Sequence, residues 1–189
     1  MEKRRAEWLN AVADRLAHLE ERLEGFKVAD LAGDEDFITA VLVASQIAMR
    51  SHEEEKLDAL RNAVVNVAAR ISVDSTREQI FIRLVGDFAP LHLKLLHLAQ
   101  DPEGALHESS APLSSSHGGT EGDLVEAVYP ELADARDLYD LAWSDLYRAG
   151  LTDKDTMRFG TSGRGPMLKR TTELGDHFIA FVTEPSDSA

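Results

Sequence analysis

Apolar residues recur along the N-terminal part of the chain with the period of an α-helix. The first series takes alternating steps of three and four residues: Leu9, Val12, Leu16, Leu19, Leu23 and Phe26. This spacing forms an apolar seam and predicts a helix over about residues 3–25. Because the seam is too short for a long coiled coil, we expect it to pack within the chain. A homodimer through this first helix is the alternative.

Four more helices are predicted before residue 101. The segment Phe37–Met49 is apolar nearly all round, which predicts a helix at the centre of a bundle. The pairs Ser51/Glu54 and Ser75/Glu78 have capping-box spacing and predict the starts of a third helix, about 52–72, and a fourth. Proline lacks a backbone N–H, so Pro90 breaks or kinks the fourth helix, and a fifth helical piece runs from Leu91 to Gln100. The pattern therefore predicts a helical bundle over residues 1–100.

The pattern changes after this bundle. Residues 101–122 are rich in Ser, Gly and His and predict a flexible linker or loop. Residues 123–184 predict a second module, with helices at about 123–129, 130–149 and 172–182. Two short extended pieces, 156–159 and 167–171, flank a turn-rich stretch and predict one β-hairpin. Residues 185–189 form a tail. The predicted fold class is mainly α with one short hairpin.

Composition narrows the classes of protein that fit this fold. The hydrophobic share of 43% is enough for a core, and the net charge of −14 disfavours attraction of the whole surface to DNA or anionic lipid. No apolar run has the length of a membrane span, and the N-terminus lacks the apolar region of an export signal. We therefore expect a soluble, cytoplasmic protein that does not act at a membrane.

Candidate chemistry is sparse. The pairs Glu173/His177 and Asp14/His18 have helical spacing, but each lacks a third ligand nearby and surface ion pairing explains them. The glycine-rich stretch before Lys169 lacks the spacing of a phosphate-binding loop, because Gly165 is followed by Pro166. With zero cysteines, thiol chemistry is excluded. We expect no catalytic residue, no cofactor and no metal, and therefore a protein that is not an enzyme. An enzyme whose site is assembled from residues distant in sequence is the alternative.

The last third of the chain carries one family resemblance. A helix ending in Leu146–Leu151, a hairpin and the motif Thr171-Thr172-Glu173-Leu174-Gly175 follow one another there. This order resembles the end of MarR-like winged-helix regulators. The stretch Phe178–Pro185 is similar to endings of uncharacterised bacterial proteins that join a helical N-terminal part to such a module. The resemblance implies a winged-helix-like module in which the helix before Gly150 reads DNA and the hairpin is the wing.

Charges in this module decide between two functions. The outward face of the helix before Gly150 carries Asp134, Asp137, Asp140 and Asp145. Carboxylates repel phosphates, so this face is unsuited to a major groove. The candidate nucleic-acid-binding residues are the remaining basic ones, Arg148, Arg158, Arg164, Lys169 and Arg170. We therefore expect a non-enzymatic bacterial interaction or regulatory protein whose module docks another macromolecule, most simply a protein. A winged-helix DNA-binding transcriptional regulator is the alternative.

Overall fold

A computed structural model describes residues 2–69, 74–109, 120–157 and 165–185. It divides the chain into two compact units. Unit 1 consists of Met1–Pro90 together with Ala180–Ala189, and unit 2 of Leu91–Ile179. The division thus falls near residues 90 and 180 instead of at the expected linker, and unit 1 is built from two separate stretches of sequence.

Within its described residues, unit 1 holds four complete helices, one 3-10 helix and the end of a further helix. The complete elements are α1 (Glu2–Arg22), a 3-10 helix (Val28–Gly33), α2 (Glu35–Ala48), α3 (Glu54–Ala68) and α4 (Ser75–Asp87). The predicted mainly α class is confirmed. The seam of α1 buries Trp8, Val12, Leu16 and Leu19 against the rest of the unit. The predicted homodimer through the first helix would need this same seam, which is already buried within unit 1.

Aspartates cap α2 and α4, and at α4 the aspartate takes the place of a predicted serine. The side chain of Asp34 accepts hydrogen bonds from the backbone N–H groups of Asp36 and Phe37, and Asp74 caps α4 in the same way. The two predicted capping boxes are wrong. Ser51 donates its hydroxyl to the Ile47 carbonyl at the end of α2 instead, and Ser75 lies inside α4 because Asp74 precedes it.

Helix α2 is not buried all round. Its buried residues are small: Ala40, Ala44, Ser45 and Ala48. Small side chains let α2 approach its neighbours closely, and they leave its bulkier residues outside. Ile38 and Leu42 are 42% and 51% exposed. Helix α2 contacts α1, α3 and α4, as expected of a central helix, but they do not enclose it, and an apolar strip lies on its surface.

A stripe of amide side chains on α3 holds the end of the last helix. Asn66 is 1% exposed, and its Nδ2 donates to the carbonyl oxygens of Phe181 and Thr183 at 2.7 and 2.9 Å. Asn62 Nδ2 donates to the Val182 carbonyl at 3.0 Å. The last carbonyls of a helix have no partners within it, so these amides satisfy groups that would otherwise be left open.

Unit 2 is also helical within the residues that the structure describes. Its helices are α5 (Pro90–Gln100), α6 (Pro102–Ser109), α7 (Glu121–Val128) and α8 (Arg136–Arg148), with 3-10 turns at Pro130–Leu132 and Gly165–Met167, and α9 (Glu173–Val182), which ends in unit 1. Helices α6 and α7 occupy both ends of the expected linker. Residues 110–119, its centre, lie outside the described residues.

The predicted hairpin is not formed by the described part of residues 156–171. Met167 ends a 3-10 turn, and Arg170 donates its backbone N–H to the Ala99 carbonyl at 2.7 Å. Thr171 forms an isolated antiparallel bridge with Thr152. The backbone N–H and carbonyl of Arg170 therefore pair with α5 and with Asp153 after Gly150, and not with a second arm of a hairpin. Without a hairpin among the described residues, the structure gives no support to a winged-helix module.

Candidate functional site

The predicted nucleic-acid-binding residues of unit 2 are largely engaged by carboxylates. Arg170 is 8% exposed, and its guanidinium meets Glu121 Oε1 at 2.9 Å. Lys154 Nζ lies 3.2 Å from the same oxygen. Glu121 is itself buried at 5% exposure. A buried arginine in an ion pair holds the fold of unit 2 and presents no charge to a partner.

The other predicted residues do not form one basic surface in the described part of the chain. Lys169 Nζ pairs with Asp176 at 2.6 Å. Arg148 pairs with Asp145 on α8 at 3.2 Å. Arg158 and Arg164 lie outside the described residues. The predicted helix over 130–149 is shorter in the structure, because α8 begins at Arg136 and Asp134 lies in the turn before it. Of the expected aspartate face, Asp137 is exposed on α8.

A different group of cations converges in unit 1. Arg50, Lys56 and Arg83 line a solvent-open cavity of about 490 Å³ in which Asp87 is the lone carboxylate among the lining residues. The wall is completed by Val43, Gln46, Ile47, Ser51 and Gly86. We call this cavity the basic pocket. Its volume lies in the range of sites that hold small molecules or protruding side chains.

Two contacts between helices shape the walls of the basic pocket. Lys56, in the first turn of α3, donates its Nζ to the Gly86 carbonyl near the end of α4 at 2.6 Å. Carbonyls at a helix end carry partial negative charge, so this lysine ties α3 to α4. Gly86 lets α4 approach α2, because a Cβ there would lie 3.0 Å from Ile47 Cδ1.

The two arginines of the pocket are available for a ligand. Both Arg50 and Arg83 are exposed, and no ion pair or side-chain hydrogen bond joins either guanidinium to the described residues. Guanidinium groups bind carboxylates and phosphates through two parallel hydrogen bonds. The lining has a formal charge of +2, three cations against one carboxylate, within a chain of net charge −14. The arrangement favours an anionic group.

A second cavity in unit 1 lacks this property. It measures about 350 Å³ and lies between α1, α3 and the segment after α9. Its arginines are already paired, Arg15 with Asp58 at 2.6 Å and Arg22 with Glu184 at 3.5 Å. The cavity has cations and anions in balance, and we regard it as part of the packing that holds the C-terminal segment.

Sequence reasoning missed the basic pocket because its cations come from the turn after α2, from α3 and from α4. Arg50, Lys56 and Arg83 share no local motif, and only the folded structure brings them together. One signal in the sequence is the apolar pattern of α2, which continues nearly all round the helix. The surface of such a helix that its own chain does not bury is left for a partner.

Comparisons with known proteins place this chain in no group: no family, no curated protein and no solved structure matches it. Within the described ranges, no three His, Asp or Glu side chains come together in a way that would hold a metal ion. Among those same residues, no helix is both long and apolar enough to cross a bilayer. The function must therefore be argued from the pocket itself.

Proposed function

We propose that the protein is a non-enzymatic interaction protein whose unit 1 docks an acidic protein surface by receiving its carboxylates in the basic pocket. The observation that carries the proposal is the convergence of Arg50 and Arg83, both without a partner among the described residues, on one cavity of an acidic chain. This retains the expected class of protein and moves the docking surface from the C-terminal module to unit 1.

The pocket supports docking better than catalysis. It holds three cations and one exposed aspartate, a set suited to binding charge. General acid–base chemistry needs a group with a pKa near the working pH beside the substrate. Arginine stays protonated and cannot supply it.

The runner-up, a DNA-binding regulator, rests on Arg148, Arg158, Arg164, Lys169 and Arg170. The ion pairs of Arg148, Lys169 and Arg170 disfavour it, since each would have to give up a carboxylate before meeting a phosphate. It stays a prediction that the experiment below also addresses.

The test is fluorescence anisotropy of a labelled hexaglutamate peptide with the full chain, at about 20 mM and about 200 mM salt. We expect binding at low salt that weakens at high salt. The double variant Arg50→Gln/Arg83→Gln should weaken it about 10-fold or more. The matched control is Arg4→Gln/Arg5→Gln, which removes two exposed charges from α1 and should leave binding unchanged.

Two outcomes would contradict the proposal. One is an absence of peptide binding at low salt. The other is equal loss in both double variants, which would mean a nonspecific charge effect. Labelled random duplex DNA is measured in parallel. Binding of DNA that disappears when the exposed Arg148 and Lys169 are replaced, with the pocket intact, would favour the regulator instead.

A further inference from the structure

Helices α2 and α4 run side by side in the same direction. Gly86 near the end of α4 lies against Ile47 near the end of α2. At the other end, the carboxylates of Asp36 and Asp34 act on Glu78, so the starts of the two helices are also neighbours. Residues at equal heights on the two helices therefore form one continuous outer surface, which we call the α2–α4 face.

The α2–α4 face changes character along its length. At its start lie three exposed carboxylates, Glu35, Asp36 and the cap Asp74. Arg77 is also exposed there, but it already has a partner. The middle is apolar, with Ile38 and Leu42 on α2 and Ile80 on α4, the last 49% exposed. Leu42 lies one turn before Gln46 of the basic pocket and Ile80 one turn before Arg83, so the far end is the pocket.

An acidic end, an apolar middle and a basic end make a surface complementary to itself. Turning a second copy by 180° places its basic end on the acidic end of the first and brings the apolar middles together. In such a twofold contact the same patch serves on both copies. Leu42 lies near the midpoint between Glu35 and Arg50, so an axis there sets Glu35 opposite the Arg50 of the other copy.

We propose that the α2–α4 face joins two copies of this chain in an antiparallel homodimer, with the carboxylates of one copy in the basic pocket of the other. The inference rests on the proposed function and names its partner. Charge complementarity selects a second copy, because the acidic and basic ends lie at opposite ends of the same two helices. The second copy then covers Ile38 and Leu42, the exposed apolar residues of α2.

The size of the face sets the strength of the contact. Two helices about 20 Å long and about 10 Å apart cover roughly 1,000 Å² over both copies, the low end for a specific interface. We therefore expect a reversible dimer that dissociates on dilution and on addition of salt.

The test is sedimentation equilibrium of the full chain over a wide concentration range at low salt. Two charge-reversed variants carry it: Arg50→Glu/Arg83→Glu and Glu35→Lys/Asp36→Lys. Each alone should weaken self-association about 10-fold or more, because like charges then meet. Mixed in equal amounts, they should associate with each other, since both contacts are again between opposite charges.

An uncharged variant and a control complete the design. Leu42→Ser removes the apolar centre without altering charge or the helix start and should also weaken the dimer. Leu138→Ser, which changes an equally exposed leucine of unit 2, should leave it unchanged. Circular dichroism confirms that each variant is folded.

Three results would overturn the inference. They are a monomer at all concentrations, a dimer insensitive to the reversals and to Leu42→Ser, and a failure of the mixed variants to associate. A monomer that still binds hexaglutamate would leave the proposed function standing and remove the homodimer alone. A dimer lost only when α1 is altered would return the contact to the first helix.

Discussion

The buried carboxyl of Glu78 makes the stability of unit 1 depend on pH. Glu78 is 7% exposed, and burial raises its pKa from 4.5 to about 7, with the charges of Asp36, Asp34 and Asp74 adding to the shift. A carboxyl with a raised pKa is destabilised when ionised. Replacing Glu78 with Gln keeps the shape of the protonated acid and removes the ionisation.

The sign and size follow from proton linkage. Below pH 4.5 the group is protonated in both the folded and unfolded states, and the stabilising contribution of the bound proton is complete. Between pH 4.5 and about 7 the folded state alone holds the proton, so the free energy of unfolding falls as pH rises. One pKa unit is worth about 1.4 kcal/mol, which gives a loss of about 3 kcal/mol at pH 8.

The assay is urea unfolding followed by circular dichroism from pH 4 to pH 8. Glu78→Gln should match the unaltered protein near pH 4 and exceed its free energy of unfolding by about 3 kcal/mol at pH 8. Asp36→Asn should lower the pKa of Glu78 and move the upper end of the transition to lower pH. Glu35→Gln is the control, because Glu35 lies on the same turn as Asp36 but is not among the groups that raise this pKa. A difference between Glu78→Gln and the unaltered protein that does not change with pH would refute the reasoning.

Two further substitutions test the buried polar contacts. Asn66→Ala leaves carbonyls at the end of α9 without donors and should cost about 1–3 kcal/mol of unfolding free energy. Backbone hydrogen exchange should become faster in that region alone. Unchanged exchange there would contradict the capping role. Arg170→Met leaves the buried Glu121 with Lys154 as its remaining cationic partner and should cost about 3 kcal/mol in urea unfolding, the low end for a broken buried pair. Glu121→Leu/Arg170→Met should recover much of that loss. The two residues would not be coupled if the loss of unfolding free energy in the double variant equalled the sum of the losses in Arg170→Met and Glu121→Leu.

Much of the helical framework was readable from periodicity. The seam of α1 and the ends of α5 and α9 lie close to their predicted positions, because each apolar stripe is completed by a cap or a proline. Helices α3 and α4 begin close to their predicted starts, at Glu54 and Ser75, but neither is capped by the predicted serine, since Glu53 precedes α3 and Asp74 caps α4. The hairpin predicted over residues 156–171 fails for another reason. Extended-looking residues there satisfy their backbone groups with Ala99 and the stretch after Gly150, which are distant in sequence.

The candidate site was not predictable from local sequence. Gly175 shows that a residue of a motif can be required for packing alone. A Cβ at this position would lie 2.2 Å from the Leu151 carbonyl oxygen, so only glycine fits there. The Thr-x-x-Leu-Gly motif therefore has a packing reason in unit 2, independent of any nucleic acid. The basic pocket depends on the approach of three helices, which no single stretch of sequence specifies.

The asparagine contacts of α3 have a consequence for the order in which the chain acquires its structure during synthesis. Asn66 is separated from Phe181 by 115 residues, and all of unit 2 is translated between them. When α3 leaves the ribosome, the carbonyls that its amides will cap do not yet exist. Unit 2 is one continuous stretch and can fold as it emerges, whereas unit 1 remains unfinished until residues 180–185 arrive. A nascent chain stalled before that point would expose Asn66 and the apolar residues around it, and it would be a better substrate for chaperones than the finished protein.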